Sequence, residues 1–151
     1  MPTAIAIDFG TSRTKLAYLD EATGRPELMR LGQRDDPFIP SLFYLPRDSD
    51  KVVLGDDAEE MLAEDPAGMV EVLKRKLHET HVRANRRKET PQKLLARLFA
   101  DLRTRAGREL PSFGGAPADV LQLTVPAVYG RAQRRSRPAS PRWYWDYGGL
   151  R

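Results

Sequence analysis

Residues 4–20, AIAIDFGTSRTKLAYLD, constrain the fold more than any other stretch of the chain. A short apolar run at residues 4–7 ends on Asp8, and a turn of small residues leads into a second strand-like run at residues 15–19. Two such runs around a tight turn predict a β-hairpin with its loop at the tip.

The loop at this tip has the composition of a phosphate-binding turn. Gly10 lacks a Cβ, so the chain can turn sharply there and an anion can approach the backbone. Successive N–H groups in such a turn form a nest for phosphate oxygens, and Thr11 and Ser12 add hydroxyl donors. The Asp8 carboxylate beside the nest makes chemical sense if Mg²⁺ lies between it and the phosphates. An ordinary hairpin turn that binds nothing is the alternative interpretation.

Composition narrows the class of protein. The chain has 151 residues, enough for one domain with a core, and 40% of them are hydrophobic and 30% charged. Its apolar runs are too short for a transmembrane helix, and no signal segment precedes the first strand. The absence of cysteine excludes disulfides, thiolate metal sites and a cysteine nucleophile. We therefore expect a soluble, cytoplasmic protein that does not bind membranes.

Charge is unevenly distributed along the chain. Residues 1–71 hold 7 basic and 15 acidic residues, whereas residues 72–108 hold 12 basic and 3 acidic residues. A basic segment of this kind can bind nucleic acid. Phe99 is its only aromatic residue, so base stacking has almost no support. A solvated face of basic helices is therefore the favoured interpretation.

The sequence predicts further strands at residues 27–31, 42–45, 52–54 and 120–125. It also predicts three helices, all of which lie before the strand at residues 120–125. The first helix begins at Asp56, which is the predicted cap, with Glu59 in capping-box position. The second spans residues 69–77. The third spans residues 91–106, with Thr90 as cap, Pro91 in the first turn and Gly107 as the stop signal.

Two histidines follow the second predicted helix. His78 and His81 stand three residues apart, which is the spacing of half a metal site. No further ligands are evident in the sequence, so we do not expect metal binding at this pair.

Several segments, taken in order, resemble the seventy-kilodalton heat-shock chaperones, the Hsp70/DnaK-like ATPases. The opening IDFGTS is similar to the first phosphate loop of the wider superfamily of actin, sugar kinases and heat-shock ATPases. The segments that favour the chaperone branch are IPS at residues 39–41, LGDDA at 54–58, LKRKL at 73–77, and LTVPA at 123–127 followed by AQR at 132–134. The resemblance covers residues 4–136.

The resemblance implies an α/β fold: a partial actin-like or ribonuclease-H-like ATPase lobe, with a mixed sheet and flanking helices. It also implies that ATP or ADP and Mg²⁺ are the cofactors, with Asp8 organising Mg²⁺ through its water shell. Gly10, Thr11, Ser12 and Arg13 would line the β- and γ-phosphates. Lys74 would act as the catalytic cation, together with Asp8, at the γ-phosphate and the attacking water. Without the resemblance, Lys74 is a solvated lysine at a helix end.

The resemblance also implies that much of the site lies elsewhere. The second phosphate loop, the adenosine-binding segment and the peptide-binding domain of the family have no counterpart here. We therefore expect residues 1–136 to form a partial N-terminal lobe that does not hydrolyse ATP alone. Unfolded peptides and co-chaperones would be partners of an intact relative only.

The last fifteen residues depart from the family. Residues 137–151, RPASPRWYWDYGGLR, contain two prolines and both tryptophans, with neither helical nor strand periodicity. We interpret this tail as the product of a frameshift or misjoined exon near codon 136. A natural short protein with an aromatic recognition tail is the alternative.

Two other functions remain open from the sequence. A sugar-kinase-like phosphotransferase of the same superfamily is compatible with the loop and with Lys15, although the later segments argue against it. A non-enzymatic module that uses the basic helices to bind nucleic acid is the other.

Overall fold

The computed structural model describes residues 3–33 and 36–124, together with the backbone of residues 143–144. The strands are β1 (Ala4–Phe9), β2 (Arg13–Asp20), β3 (Arg25–Leu28), β4 (Phe38–Pro40), β5 (Phe43–Tyr44), β6 (Val53–Leu54), β7 (Met69–Val70), β8 (Val82–Ala84), β9 (Arg87–Glu89), β10 (Val120–Leu123) and β11 (Trp143–Tyr144). The α-helices are α1 (Gly55–Glu60) and α2 (Pro91–Glu109). The predicted mixed α/β class is confirmed.

The largest sheet is built around the N-terminal hairpin. Its strand order is β11–β10–β1–β2–β3, and β4 also pairs with β2. The β1–β2 pair is antiparallel and the β1–β10 pair is parallel, so the sheet is mixed. The predicted hairpin is confirmed, and the last predicted strand is found as β10, beside the first strand of the hairpin.

The core lies on one face of this sheet, under α2. Alternate residues of β1 point into it, and Ile5, Ile7 and Phe9 are all buried. The apolar stripe of α2 packs there, and Phe99 meets Phe9 edge to face with ring centroids 6.0 Å apart. The stripe comprises Leu94, Leu95, Leu98, Phe99 and Leu102. The end of β1 is thereby fixed against the longest helix of the described residues.

The opposite face of the sheet carries small or exposed residues. Leu19 is 63% exposed and Leu28 is 50% exposed, and they lie diagonally across the β2–β3 pair.

Two smaller sheets complete the fold. One has the order β6–β5–β7, and the other is the β8–β9 hairpin. The Arg87 guanidinium joins this hairpin to the loop before β6, where it donates to the carbonyls of Ser49 and Lys51, each at 2.6 Å. It also donates to the Asp50 carbonyl at 3.1 Å. One side chain therefore holds a loop that has little regular structure of its own.

The predicted helix at residues 69–77 is wrong. Met69 and Val70 form β7, which pairs with β5, and Leu73–Lys76 forms a single turn of 3₁₀ helix. Val72 lies between the two in the left-handed region, with φ 49° and ψ 37°. Strand pairing has therefore overridden a helical spacing of apolar residues.

The predicted boundaries of the two α-helices are partly wrong. The α1 helix begins at Gly55, and no side chain caps it, so Asp56 lies inside the helix. The Thr90 cap of α2 is confirmed, since its side chain accepts from the Lys93 amide at 3.2 Å. The predicted stop at Gly107 is wrong, because α2 continues to Glu109 and buries Gly107 against the Ala116 backbone.

The tail is described only at residues 143–144. These two residues form β11, whose Cα partners in the parallel pair with β10 are Leu121 and Gln122. The tail therefore contains one short strand that its sequence pattern did not predict. The proposed boundary near residue 136 lies outside the described residues. In the described part of the chain, no helix is long and apolar enough to cross a membrane.

Candidate phosphate-binding site

Lys74 and the glycine loop, which are far apart in the sequence, meet in the structure. The Lys74 ammonium donates a hydrogen bond to the backbone carbonyl of Phe9, the residue before Gly10. Its Nζ also lies 6.0 Å from the centroid of the Phe9 ring. The described fold therefore places a cation at the mouth of the loop that the sequence predicts to bind phosphate.

The position of Lys74 is set by buried neighbours on both sides. Leu73 is fully buried and Leu77 is 5% exposed, so both ends of the short 3₁₀ turn are anchored in the core. Val72 enters the turn in a left-handed conformation that costs a β-branched residue about 1–2 kcal/mol. Strained backbone of this kind is concentrated at functional sites. It lies here two residues before Lys74.

Gly10 is required by the shape of the loop itself. A Cβ at this position would collide with the carbonyl oxygen of Arg13. The loop folds back on itself so closely that no side chain fits at its start. Glycine is therefore required at position 10 because the Arg13 carbonyl occupies the space that a Cβ would need.

The far side of the loop is fixed by the segment around Ser41. Its amide donates to the Ser12 carbonyl at 2.8 Å, and its hydroxyl pairs with the Thr14 hydroxyl at 2.9 Å. Both hydroxyls are buried. The segment at residues 39–41, one of the motifs that suggested the chaperone family, thus closes the loop at its exit into β2.

Asp8 stands beside the loop with partners on both carboxylate oxygens. Its Oδ1 accepts from the Thr124 hydroxyl at 2.7 Å, and its Oδ2 lies 3.7 Å from the Lys15 ammonium. Thr124 follows β10, and its amide continues the parallel ladder to the Ile7 carbonyl. The ends of β1 and β10 therefore meet at Asp8.

Burial and charge act on Lys74 in opposite directions. Partial burial lowers the pKa of its ammonium from the ordinary lysine value, and the nearby Asp8 carboxylate opposes this by favouring the charged form. A less solvated cation attracts an anion more strongly, because less water screens the charge. Partial burial of Lys74 therefore favours binding of an anion beside the loop, and the nearby Asp8 helps to keep the ammonium charged.

The residues present do not form a Mg²⁺ site of their own. No group of three or more histidine or acidic residues that could hold a metal occurs among residues 3–33 and 36–124. A cation and a hydroxyl already engage the Asp8 carboxylate beside the loop. Mg²⁺ prefers several oxygen ligands, so the predicted role of Asp8 as a water-mediated ligand would need acidic groups from elsewhere.

The remaining predicted loop residues lie around this centre. Thr11 is half-buried and Ser12 is exposed at the tip. Arg13 is exposed, and its guanidinium lies 3.8 Å from the Glu59 carboxylate on α1. An exposed ion pair of this length contributes little to stability, so Arg13 is free to exchange Glu59 for another anion.

Two residues of the site were not predicted from the sequence as ligands or positioning residues. Thr124 was seen only as part of a strand motif, although the end of a strand parallel to β1 is where a partner for Asp8 should lie. Lys15 was noted only as compatible with a kinase. Its position opposite Asp8 follows from the hairpin register.

The histidine pair and the basic segment bring no competing site. His78 and His81 belong to no metal-binding group in the described part of the chain. Phe99, the one aromatic residue of the basic segment, is 1% exposed in the core. It cannot stack on a base, which weakens the nucleic-acid interpretation further.

Comparison with known proteins finds a likeness to a bacterial chaperone. The chain is 28% identical over 140 residues to the chaperone protein DnaK of Elusimicrobium minutum (strain Pei191). The match covers 90% of this chain and 22% of that protein, so the chain spans about a fifth of its relative. No protein-family model matches the chain. The likeness supports the chaperone family at a coarse level and does not extend to the activity of the whole relative.

Proposed function

We propose that this chain is the nucleotide-binding end of a DnaK-like chaperone ATPase and that it binds ATP or ADP by the phosphates. The observation that carries the proposal is the contact between Lys74 and the Phe9 carbonyl, because it brings a cation to the glycine loop across 65 residues of sequence. Lys74 would offset phosphate charge, and the backbone of residues 10–13 would line the phosphates.

The likeness to DnaK gives the proposal its family. In an intact relative, nucleotide hydrolysis would be coupled to binding and release of unfolded peptides, with co-chaperones as further partners. The chain spans about a fifth of the chaperone that it matches. We propose that it binds nucleotide without turning it over, because half of a phosphate clamp can neither exclude water nor orient the attacking molecule.

The test is nucleotide binding by the purified chain, measured by titration calorimetry with a non-hydrolysable ATP analogue, which carries the γ-phosphate that Lys74 would contact. We expect Lys74→Met to weaken binding of this analogue by about tenfold or more, since a hydrogen bond to a charged group contributes roughly 1.5–3 kcal/mol. Lys76→Met is the matched control, because Lys76 lies in the same short turn and contacts neither the loop nor Asp8 in the described structure. It should leave the affinity unchanged.

Two results would contradict the proposal. One is the absence of binding of the ATP analogue to the folded wild-type chain, with folding checked by thermal unfolding. The other is equal loss of affinity in the Lys74 and Lys76 variants, which would indicate a general charge effect. ATP turnover at the rate of an intact chaperone would contradict the claim that the chain is inactive alone.

A further inference from the structure

Lys15 is held opposite Asp8 by the backbone of the hairpin. The two residues are direct partners in the antiparallel register of β1 and β2, and their charged atoms lie 3.7 Å apart. Directly opposed side chains of opposite charge attract across such a pair. Strand register therefore places the Lys15 backbone opposite Asp8, and the ion pair brings the Lys15 ammonium to the carboxylate.

A neighbouring strand restrains the same ammonium from the other side. Phe38 in β4 is the register partner of Lys15, and the Lys15 Nζ lies 5.7 Å from the Phe38 ring centroid. Phe38 is 40% exposed, so this ring is available to the cation at the surface. Asp8, Lys15 and Phe38 thus form one row across three adjacent strands.

The remaining oxygen of Asp8 is also engaged. This oxygen, Oδ1, accepts a hydrogen bond from the Thr124 hydroxyl. Lys74 supplies a second positive charge near Asp8. A divalent ion that approached Asp8 would have to compete with Lys15 for the carboxylate. The charge that a metal would contribute at this position is thus already present as an ammonium group.

We infer that Lys15 takes the charge-neutralising place of Mg²⁺ at Asp8, so that this chain binds the polyphosphate of a nucleotide with little dependence on the metal. The inference rests on the proposed function, because it concerns the same phosphate site. Without Lys15, the Asp8 carboxylate would repel the phosphates unless a metal ion screened it. With Lys15, the two lysines flank the loop and Asp8 is neutralised.

The experiment compares ADP binding in EDTA with ADP binding in excess Mg²⁺, by titration calorimetry on the full chain. We expect the wild-type dissociation constants in the two conditions to agree within about threefold. Such a difference in binding free energy is smaller than the contribution of one charged hydrogen bond. Lys15→Met should bind ADP about tenfold more weakly than wild type in EDTA and recover much of the loss in Mg²⁺. Lys15→Arg keeps the charge and should behave like wild type.

Lys88→Met is the matched control, because it removes the same charge from an exposed position on the β8–β9 hairpin. It should not change the Mg²⁺ dependence. Thermal unfolding of each variant shows that the chain is folded, and Lys15 is half-exposed, so its removal should leave the fold intact.

Different results overturn different claims. If wild type requires Mg²⁺, or if Lys15→Met binds ADP in EDTA as tightly as wild type does, the inference is wrong while nucleotide binding stands. If no folded variant binds ADP in either condition, the proposed function is wrong and the inference with it. A loss in EDTA that Lys88→Met shares would reduce the effect to net charge and would also overturn the inference.

Discussion

Glu89 shows how a single carboxylate joins two elements of the fold. Its Oε1 lies 3.1 Å from the Arg87 guanidinium, and its Oε2 lies 2.9 Å from the Lys93 ammonium in the first turn of α2. Burial acts to raise the pKa of this carboxyl, but the hydrogen bonds and charges of Lys93 and Arg87 outweigh it and hold the pKa below the ordinary value. The ionised form is therefore favoured in the folded state.

A pH-dependent stability follows from this residue. Because the pKa of Glu89 is lower in the folded state, its contribution is complete above the ordinary glutamate value and is lost as pH falls through the folded pKa. We expect Glu89→Gln to lower the free energy of unfolding by about 1–3 kcal/mol at neutral pH. The difference from wild type should disappear in acid. Urea unfolding of both proteins across the acidic range measures it.

Asp101 provides a control with the opposite sign. Burial raises the pKa of this carboxyl above the ordinary aspartate value, and the nearby Arg105 opposes the shift. Its stabilising contribution is therefore present at low pH and is lost as pH rises through the folded pKa. Asp101→Asn should not show the loss of stability at neutral pH that Glu89→Gln shows. A neutral-pH loss common to both variants would contradict the assignment.

At the scale of elements, the β8–β9 hairpin has an unusual turn. Asn85 and Arg86 both have positive φ, 47° and 64°. This is the pattern of a two-residue hairpin turn that normally takes Asn-Gly. Arg86 is exposed, and its side chain makes no described contact that would offset the strain of its left-handed backbone. Arg83 and Lys88 lie directly opposite each other in the same hairpin, which adds a repulsion between like charges.

Arg86→Gly should therefore stabilise the protein. Relief of about 1–2 kcal/mol of left-handed strain is partly offset by the entropy that glycine loses on folding, roughly 0.5–1 kcal/mol. We expect a net gain of about 0.5–1 kcal/mol, measured by chemical unfolding. Lys88→Gly, in strand β9 of the same hairpin, should instead lower stability by roughly 0.5–1 kcal/mol. A loss of stability in Arg86→Gly would show that the turn is not strained.

The elements that the sequence predicted correctly are those whose local signals agree with their tertiary contacts. The first hairpin and α2 combine a clear apolar period with turn or cap residues, and both are confirmed. The β8–β9 hairpin was missed because Arg86 occupies a turn position where glycine is the usual signal. The helix predicted at residues 69–77 failed because the pairing of β7 with β5 decides the conformation there.

The candidate site was predictable from the sequence only in part. The glycine loop is local, so its residues were identified directly, and Lys74 was identified only through the family resemblance. Its contact with the Phe9 carbonyl depends on how the core anchors Leu73 and Leu77, which no local pattern reports. The roles of Lys15 and Thr124 depend on strand register and on a parallel pair, both of which are tertiary facts.

At the scale of the molecule, one face of the large sheet exposes two leucines. Leu19 and Leu28 lie together on this face, and contiguous exposed apolar surface promotes association. The face adjoins β3, all four residues of which are exposed. Edge strands with apolar neighbours are common sites of aggregation.

Replacing both exposed leucines should make the chain more soluble without unfolding it. We expect the double variant Leu19→Thr with Leu28→Thr to scatter less light and to stay monomeric at higher concentration in sedimentation experiments. Its stability should stay within about 0.5 kcal/mol of wild type, because neither side chain is buried. Leu62→Thr, at another exposed leucine, is the control and should change little. If the double variant associates as strongly as wild type, these two leucines are not the surface through which the chains associate.

The parallel pair of β1 and β10 also has a consequence during synthesis on the ribosome. Ala4 pairs with Val120, so the first strand emerges long before its neighbour exists. At about 5–20 residues per second, the 115 intervening residues take about 6–23 s to translate. Throughout that interval, the nascent hairpin presents an unpaired strand edge. A chain released before Val120 would keep that edge open, and only the complete segment through Leu123 could close it.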